Sequence, residues 1–494
     1  MRLDELILKS GVVPIEISGG SAEIKSISYD SRRTGKGDLF FASAGTQCNG
    51  EDFAKDAVKK GAAAVVSEKL LGTGVPEIKV KNVKVAMARI AEAFYGFPSK
   101  KLNLYGITGT NGKTTVTYML ESIAKAAGEK CAVFGTVNYR FGKKIHTLPN
   151  TTAESADISR LLSEFAADGG KLCFIEISSQ GLDRKCADAL SFKSAVFTNL
   201  SREHLDWHGN MKNYAAAKRE LFEKVYDSMG KEGLAVINSD NEWSKKIIEG
   251  LPLKTAAFGI RKQSKYNGKI ISMDCAKTIF DVRAPKEKMR IELKLPGEHN
   301  VMNALAAFAL AREEGFSAEI IKKGLENITD ITGRLSRIPA KKGFTVYVDY
   351  AHTPDALEKV LQSLRPLTEK RIITVFGAGG NRDRGKRPEM GKIVSENSDF
   401  AWITSDNPRN ENPQAIMMDI EIGMRKTRDM ESASASQPWR AEPDRGKAIA
   451  GAIAMAEKGD IILIAGKGHE EYQIIGSEKI PYSDIKTVKK ILKK

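Results

Sequence analysis

The stretch Gly106-Ile-Thr-Gly-Thr-Asn-Gly-Lys-Thr-Thr115 lies between an apolar run, Leu102 to Thr108, and a segment of helical periodicity, Thr114 to Ala127. In that segment Val116, Met119, Leu120, Ile123 and Ala127 recur at i, i+3, i+4, i+7 spacing and mark one buried face. A strand, a glycine-rich turn and a helix in this order converge backbone N–H groups on phosphate oxygens at the positive end of the helix. Lys113 would bring its ammonium to the β- and γ-phosphates, and Thr114 stands where such a loop supplies a Mg²⁺ ligand. The strict Gly-x4-Gly-Lys-Ser/Thr pattern is not met, because Ile107 occupies the first glycine position. The strand–loop–helix context still favours a nucleotide loop over a ligand-free glycine turn.

Outward from this loop the pattern repeats. Cys131 to Thr136, Leu172 to Ile177, Ala195 to Asn199 and Leu234 to Asn238 are short apolar runs separated by helical patterns. They predict an α/β unit with a mainly parallel sheet covered on both faces. A β-richer stretch, Lys269 to Leu295, and an apolar helix from about Val301 follow. Around Thr332-Gly333 the alternation restarts, with strands expected at Phe344 to Tyr350, Arg371 to Gly377, Phe400 to Ser405 and Asp460 to Gly466. This reads as a third, Rossmann-like α/β domain. Before the loop, Gly37 to Ala42 and Ala62 to Val66 are strands among short helices, and Phe97-Pro-Ser-Lys-Lys101 reads as a linker. The expected division is 1–100, 101–332 and 333–494, in keeping with about 150 residues per domain over 494 residues. Glu431 to Gln437 is expected to be a loop, and Lys486 to Lys494 a solvated terminal helix.

Lys and Arg number 77 against 62 Asp and Glu, a net charge of +15 that suits nucleic acid, a membrane surface or small anionic substrates. No RNP-like aromatic motif or zinc module supports nucleic acid. The best apolar run, Val301 to Ala311, falls short of the ~20 residues that a membrane span needs. The opening MRLDELILKSG places Asp4 and Glu5 where a signal peptide would be basic. A soluble cytoplasmic protein without stable membrane insertion is expected. Cys48, Cys131, Cys173, Cys186 and Cys275 show no CxxC spacing, so neither disulfides nor zinc are indicated.

Five of the six histidines, His204, His208, His299, His352 and His469, lie in polar clusters. The cluster Asn199-Leu-Ser-Arg-Glu-His-Leu-Asp-Trp-His-Gly209 follows a short strand, where α/β sheets place ligand loops. There His204 either ligates a metal or caps the loop. Glu176 ends an apolar strand, and a carboxylate buried there needs a cation or hydrogen bonds to offset desolvation. It is a candidate oxygen ligand for Mg²⁺. Lys218, beside Arg219, reads on its own as an exposed helix lysine.

Gly109 to Thr115, Asn199 to Gly209, Tyr214-Ala-Ala-Ala-Lys218, Gly297-Glu-His-Asn300, Val348-Asp-Tyr-Ala-His-Thr-Pro354 and Gly466-Lys-Gly-His-Glu470 occur in one order. Together they resemble the Mur ligase family over essentially the whole chain. The resemblance implies an N-terminal domain for a uridine nucleotide, a central ATPase and a C-terminal domain for the incoming amino acid. It assigns ATP to Gly109, Thr110, Asn111, Gly112, Lys113, Thr114 and Thr115, with Asn300, Asn303, Arg334, Asp349 and His352 reached on domain closure. Two Mg²⁺ ions would be held by Thr114, Glu176, His204 and Lys218, the last as a carbamate, since a bare ammonium would repel the metal. Lys113, Lys218, Arg334, Asp349 and His352 form the implied catalytic set. The uridine-nucleotide substrate is assigned to Ser31, Thr46, Gln47, Cys48, Asn150, Thr151, Thr152, Ser178 and Arg184.

Three positions depart from the family pattern: Gln180 where histidine is common, Cys186 for an arginine, and Ser336 for a glutamate. The implied reaction is ATP-dependent amide formation through an acyl phosphate, by a monomer acting on small molecules. Ser405-Asp-Asn-Pro-Arg409 resembles the motif of members that add meso-diaminopimelate to UDP-N-acetylmuramoyl-L-Ala-D-Glu, with L-lysine as the alternative amino acid. A guanidinium at Arg409 can grip a second distal carboxylate that lysine lacks. Pro408 would bias Asn407 to extended geometry and help aim Arg409, while Arg382, Asp406, Asn407, Gly466 and Glu470 complete the amino-acid set. A folylpolyglutamate synthetase lacks the domain seen before residue 100, and a nucleic-acid ATPase leaves His204, Lys218 and His352 unexplained.

Overall fold

In the computed structural model the strand Asn103–Thr108 lies inside an 11-stranded sheet, between Ser194–Phe197 and Leu172–Glu176. The structure describes residues 1–45, 49–285, 287–426 and 438–493. Seven consecutive strands of that sheet pair in parallel, from Tyr266–Met273 across to Cys131–Phe134. Antiparallel strands extend both edges. Leu172–Glu176 and Leu234–Asn238 are buried at every position, as a parallel sheet covered on both faces demands.

One face carries the helices Lys113–Ala126, Glu298–Glu313 and Ala318–Asn327, and the other carries Ser155–Ala167 and Met211–Met229. The apolar helix begins at Glu298, three residues before the periodicity suggests, behind Gly297 at φ 103. It is apolar nearly all round and is buried accordingly from Val301 through Ala311, Met302 excepted.

The first hundred residues build a five-stranded sheet, parallel except for the edge strand Glu16–Ser18. Residues after 335 build a six-stranded sheet, parallel except for the edge strand Ser336–Pro339. The stretch expected to be a linker is instead a packed 3-10 turn, Pro98–Lys101, with Pro98 and Ser99 buried. The cause is Glu92, a buried carboxylate that must find donors. It takes the hydroxyls of Ser99 (2.7 Å) and of Ser159 in the central unit (2.9 Å).

The terminal helix Asp484–Leu492 exposes its lysines as expected but is anchored rather than loose. Asp484, fully buried, receives Arg445 through two 2.8 Å bonds. The segment 431–437 lies outside the described residues. Cys131, Cys173, Cys186 and Cys275 are free thiols. Among the described residues no helix is long and apolar enough to cross a membrane.

Candidate active site

The glycine loop turns on Gly109 (φ 149) and Gly112 (φ 90), conformations that favour glycine. A side chain at Gly109 would strike Thr198 and Asn199, and one at Gly112 would strike Asn303. Thr198 Oγ1 and Asn199 Nδ2 donate to the Asn111 carbonyl (2.6 and 3.1 Å), and Asn199 Oδ1 accepts from the Asn111 N–H (3.0 Å). Lys113 curls back, its Nζ donating to the carbonyls of Gly109 (2.8 Å) and Thr110 (2.9 Å). Burial lowers its pKa, Glu203 and Glu176 work the other way, and the Arg334 cation adds to the lowering.

Glu176 is 1% exposed, and hydrogen bonds surround its carboxylate. Thr114 Oγ1 donates to Oε2 (3.0 Å), Thr136 Oγ1 to the same oxygen (2.8 Å) and the Thr136 N–H to Oε1 (3.0 Å). An oxygen-only set of carboxylate and hydroxyls suits a hard cation such as Mg²⁺, with phosphate and water filling its shell. His204 sits at φ 55 before the short helix Leu205–His208. Its Nε2 lies 3.9 Å from Glu203 Oε1, and burial lowers its pKa, favouring the neutral ring that metals take. Among the described residues no three His, Cys, Asp or Glu gather closely enough to hold a metal by themselves.

Lys218 is not the exposed lysine that its neighbours suggest. It is 1% exposed on the inner face of Met211–Met229, in line with buried Tyr214, Leu221, Phe222 and Val225. Its Nζ lies 4.6 Å from the Tyr214 ring centre and makes no ion pair among the described residues. Burial first, and the nearby Lys113 cation second, push its pKa well below the ordinary lysine value.

The C-terminal unit closes on this loop. Arg334 Nη2 donates to Thr114 Oγ1 (3.1 Å), so a guanidinium from one unit meets the hydroxyl that starts the loop helix of another. Asp355 Oδ2 accepts from Asn111 Nδ2 and Ser201 Oγ, both at 2.8 Å. Asp349 accepts the N–H groups of Leu335 and Ala351 (2.7 Å each), fixing the backbone beside Arg334; burial raises its pKa. His352 Nδ1 is 2.7 Å from the Tyr350 carbonyl and therefore donates to it. Arg334 lies over the Tyr350 ring (5.1 Å), as does His469 (4.9 Å between centroids). Asn300 Nδ2 donates to the Pro296 carbonyl (2.7 Å), and Asn303 backs Gly112.

A second wall comes from Gly379–Arg382, Asp406–Arg409 and Gly466–Glu470. Arg409 adopts φ 52, with its N–H on the Ile474 carbonyl (3.1 Å) and Nη1 on that of Gly380 (2.9 Å). Arg382 is exposed, yet its cation is near enough to lower the Arg409 pKa further, after burial. Gly466 (φ 120) has no room for a side chain beside Asp406.

Toward the N-terminal unit, Thr152 Oγ1 accepts the Ser178 N–H (2.9 Å) and Thr151 pairs with Thr136 (3.0 Å between hydroxyls). Asn150 is half-buried in the turn before them, and Ser31 is half-buried in a turn. A polar cavity of about 150 Å³ opens between these two units, lined by Ser28, Asp30, Arg33, Asp157 and Arg160 among others. Arg184 Nε is buried without a hydrogen-bond partner. Cys186, in the arginine position, is buried against Glu154 (3.8 Å), and burial pushes its thiol up to about 12. It supplies no cation. Thr46, Gln47 and Cys48 lie outside the described residues.

Sequence reasoning passed over Thr136, Thr198, Asn199, Asp355, Tyr350 and Lys467 as individual residues. Asn199, Tyr350 and Lys467 stand inside the quoted motifs, and Asp355 directly follows one.

Three family models match the chain: "Mur ligase family, catalytic domain" at residues 23–95, "Mur ligase middle domain" at 107–311 and "Mur ligase, glutamate ligase domain" at 333–468. The UDP-N-acetylmuramoyl-L-alanyl-D-glutamate–2,6-diaminopimelate ligase of Syntrophomonas wolfei is 38% identical over 497 residues, covering 100% of this chain and 99% of that one. The protein of the same name from Geobacillus kaustophilus is 40% identical over 471 residues, 94% of each. A solved structure of a ligase with that name is 30% identical, with a TM-score of 0.65 over 95% of each chain.

Proposed function

The chain belongs to the Mur ligase family, and on that premise we propose that it joins meso-diaminopimelate to UDP-N-acetylmuramoyl-L-Ala-D-Glu. It is an ATP-dependent, amide-forming ligase that releases ADP and phosphate, as the matched family models and relatives support. The observation that carries the site reading is the 3.1 Å contact of Arg334 with Thr114. It sets a cation from the closing unit beside the loop that receives the triphosphate.

The substrate carboxylate attacks the γ-phosphorus, the bond to the bridging oxygen breaks, and ADP leaves. Lys113 and Arg334 meet the charge that develops on the transferring phosphoryl group, a step that rests on positioning and electrostatics. The backbone of Gly109 to Thr115 holds the β- and γ-phosphates, and Asn300, Asn303, Asp349 and His352 frame the nucleotide. Thr114, Glu176 and His204 would hold Mg²⁺, which would supply phosphate neutralisation. The incoming amine, neutral, then attacks the acyl carbon and inorganic phosphate departs.

Lys218 serves as a carbamate. Burial favours its neutral amine, which can attack the carbon of CO₂; the nitrogen's proton passes to solvent, and the resulting carboxylate would hold the second Mg²⁺. Ser31, Asn150 to Thr152, Ser178 and Arg184 face the uridine-nucleotide substrate. Arg382, Asp406, Arg409, Gly466 and Glu470 receive the amino acid, whose distal carboxylate pairs with a guanidinium in a way that L-lysine cannot match.

Phosphate release should require UDP-N-acetylmuramoyl-L-Ala-D-Glu and diaminopimelate together. Rapid ATP hydrolysis that ignores both would overturn the ligase reading, and preferential incorporation of L-lysine in equimolar competition would overturn the amino-acid assignment.

A further inference from the structure

We infer that Lys467 is a positioning residue that sets selectivity at the distal end of the incoming amino acid, an inference that rests on the function proposed above. Lys467 has no exposed surface, and it sits between two glycines in left-handed conformations, Gly466 at φ 120 and Gly468 at φ 51. A full charge buried this deeply is retained only where it is paired.

Its Nζ donates to Glu470 Oε2 (2.9 Å) and Asn407 Oδ1 (3.0 Å) and lies 3.7 Å from Asp406 Oδ1. Asn407 is consumed by this arrangement. Its Oδ1 also takes the Ile474 N–H (2.9 Å), and its Nδ2 donates to Glu470 Oε2 (3.1 Å). The Asn407 amide is therefore scaffolding, and Glu470 is turned so that Oε2 is held while Oε1 makes no hydrogen bond among the described residues.

Arg409 is close enough to feel the charges of Asp406, Glu470 and Arg382, and neither arginine makes an ion pair among the described residues. A carboxylate oxygen without a partner among the described residues, near guanidiniums that make no ion pair there, complements a carbon that bears both an ammonium and a carboxylate. Lys467 makes that balance: it cancels one of the two charges on Asp406 and Glu470. Without it the acidic side is one charge more negative, left to Arg409 beside both carboxylates and to Arg445 and Lys386 beside Asp406, which favours a bare ammonium over a zwitterion.

The test is steady-state kinetics on the full chain with diaminopimelate and L-lysine, for the unmodified protein, Lys467→Met, Glu470→Gln and the double variant. Lys467→Met is expected to raise KM for diaminopimelate about 30-fold, the effect of removing one partner of a buried charge pair. KM for ATP should move less than about 3-fold, and the preference for diaminopimelate over lysine should fall by about 10-fold or more. If Lys467 acts through Glu470, adding Glu470→Gln to Lys467→Met should cost less than about 3-fold more, as coupled residues are non-additive. Additive losses, an unchanged preference, or an equal rise in all KM values would overturn the inference. Should Lys467→Met not fold, Lys467→Gln, which keeps a donor without the charge, carries the same comparison. An unmodified protein inert with diaminopimelate would sink the proposed function instead, and the two failures are thus distinct.

Discussion

Asp355→Ala should open the molecule. In the closed arrangement Asp355 Oδ2 accepts from Asn111 Nδ2 and Ser201 Oγ across the boundary between the nucleotide loop and the C-terminal unit, each at 2.8 Å. Bonds to a charged partner contribute about 1.5–3 kcal/mol each. The Asp355 side chain is 21% exposed, so the lower figure applies, and two bonds give about 3 kcal/mol. The remaining contact, Lys359 Nζ at 2.8 Å, is an exposed i,i+4 pair within one helix that adds only about 0.3–0.5 kcal/mol, and the variant keeps the 3.3 Å bond of Lys359 Nζ to Ser201 Oγ across the boundary. A loss of 3 kcal/mol shifts the closed-to-open ratio by about 150-fold. Apparent ATP affinity falls with the closed fraction, since a ligand that needs the closed state pays for the missing population. Small-angle scattering should report a larger radius of gyration for the variant, and KM for ATP should rise by one to two orders of magnitude, roughly. A variant with the parent scattering curve and an unchanged KM would refute the idea that these two bonds contribute to closure beside Arg334–Thr114 and Lys359–Ser201.

Lys218→Ala should be nearly inactive yet folded, and short carboxylic acids should restore part of the rate by supplying the oxygens that the carbamate would have carried; full activity in CO₂-depleted buffer would remove the carbamate. Asp349 gives a pH signature. Burial raises its pKa above the unfolded value, so the native chain holds that proton to higher pH than the unfolded chain, and stability is lost as pH rises through the folded pKa. Asp349→Asn carries a constant cost for one lost acceptor. Its melting temperature relative to the parent should nonetheless improve steadily from about pH 4 upward while turnover falls; a pH-independent difference in thermal melts would contradict this.

The sheet around the loop was legible because parallel strands must be apolar on both faces, and Leu172–Glu176 and Leu234–Asn238 announce themselves by composition. Glu176 stood out for the same reason, a carboxylate where the pattern allows none. Lys218 did not, because a lysine beside an arginine looks solvated until its helix is phased. Tyr214, Leu221, Phe222 and Val225, at i−4, i+3, i+4 and i+7, do place it on the inner face. Arg334 and Thr114 are 220 positions apart, and Asn111 and Asp355 are 244 apart. Such pairings depend on how two units dock, and no local periodicity encodes them. The junction at Pro98–Lys101 misread as a linker for a related reason: its proline and lysines are visible in sequence, while the Glu92 carboxylate that binds Ser99 and Ser159 is a tertiary fact.

Ion pairing separates the cations that hold the fold from those that await a ligand. Arg445 is fully buried and doubly bonded to Asp484; Arg387, equally buried, reaches Glu411 and Asp419 at 2.9 Å each. Removing a partner from such a pair costs about 3–5 kcal/mol, and these arginines are structural. Lys113, Lys218, Arg334 and Arg409 are also at least partly buried, yet none makes an ion pair among the described residues. An internal carboxylate on Lys113, Arg334 or Arg409 would compete with the phosphates and carboxylates that the proposed function brings to the cleft, and one on Lys218 would hold the protonated amine that cannot take CO₂. Leaving them unpaired costs stability, and the chain limits that cost in two ways. The lysines can loosen their hold on the proton, the direction in which burial moves the pKa values of Lys113 and Lys218. The arginines, which cannot, lean on carbonyls and an aromatic face: Arg409 on Gly380, Arg334 on Tyr350. The +15 of the chain says little about its partners; Lys113, Arg334 and Arg409, without ion pairs among the described residues, suit the anionic substrates of the proposed function.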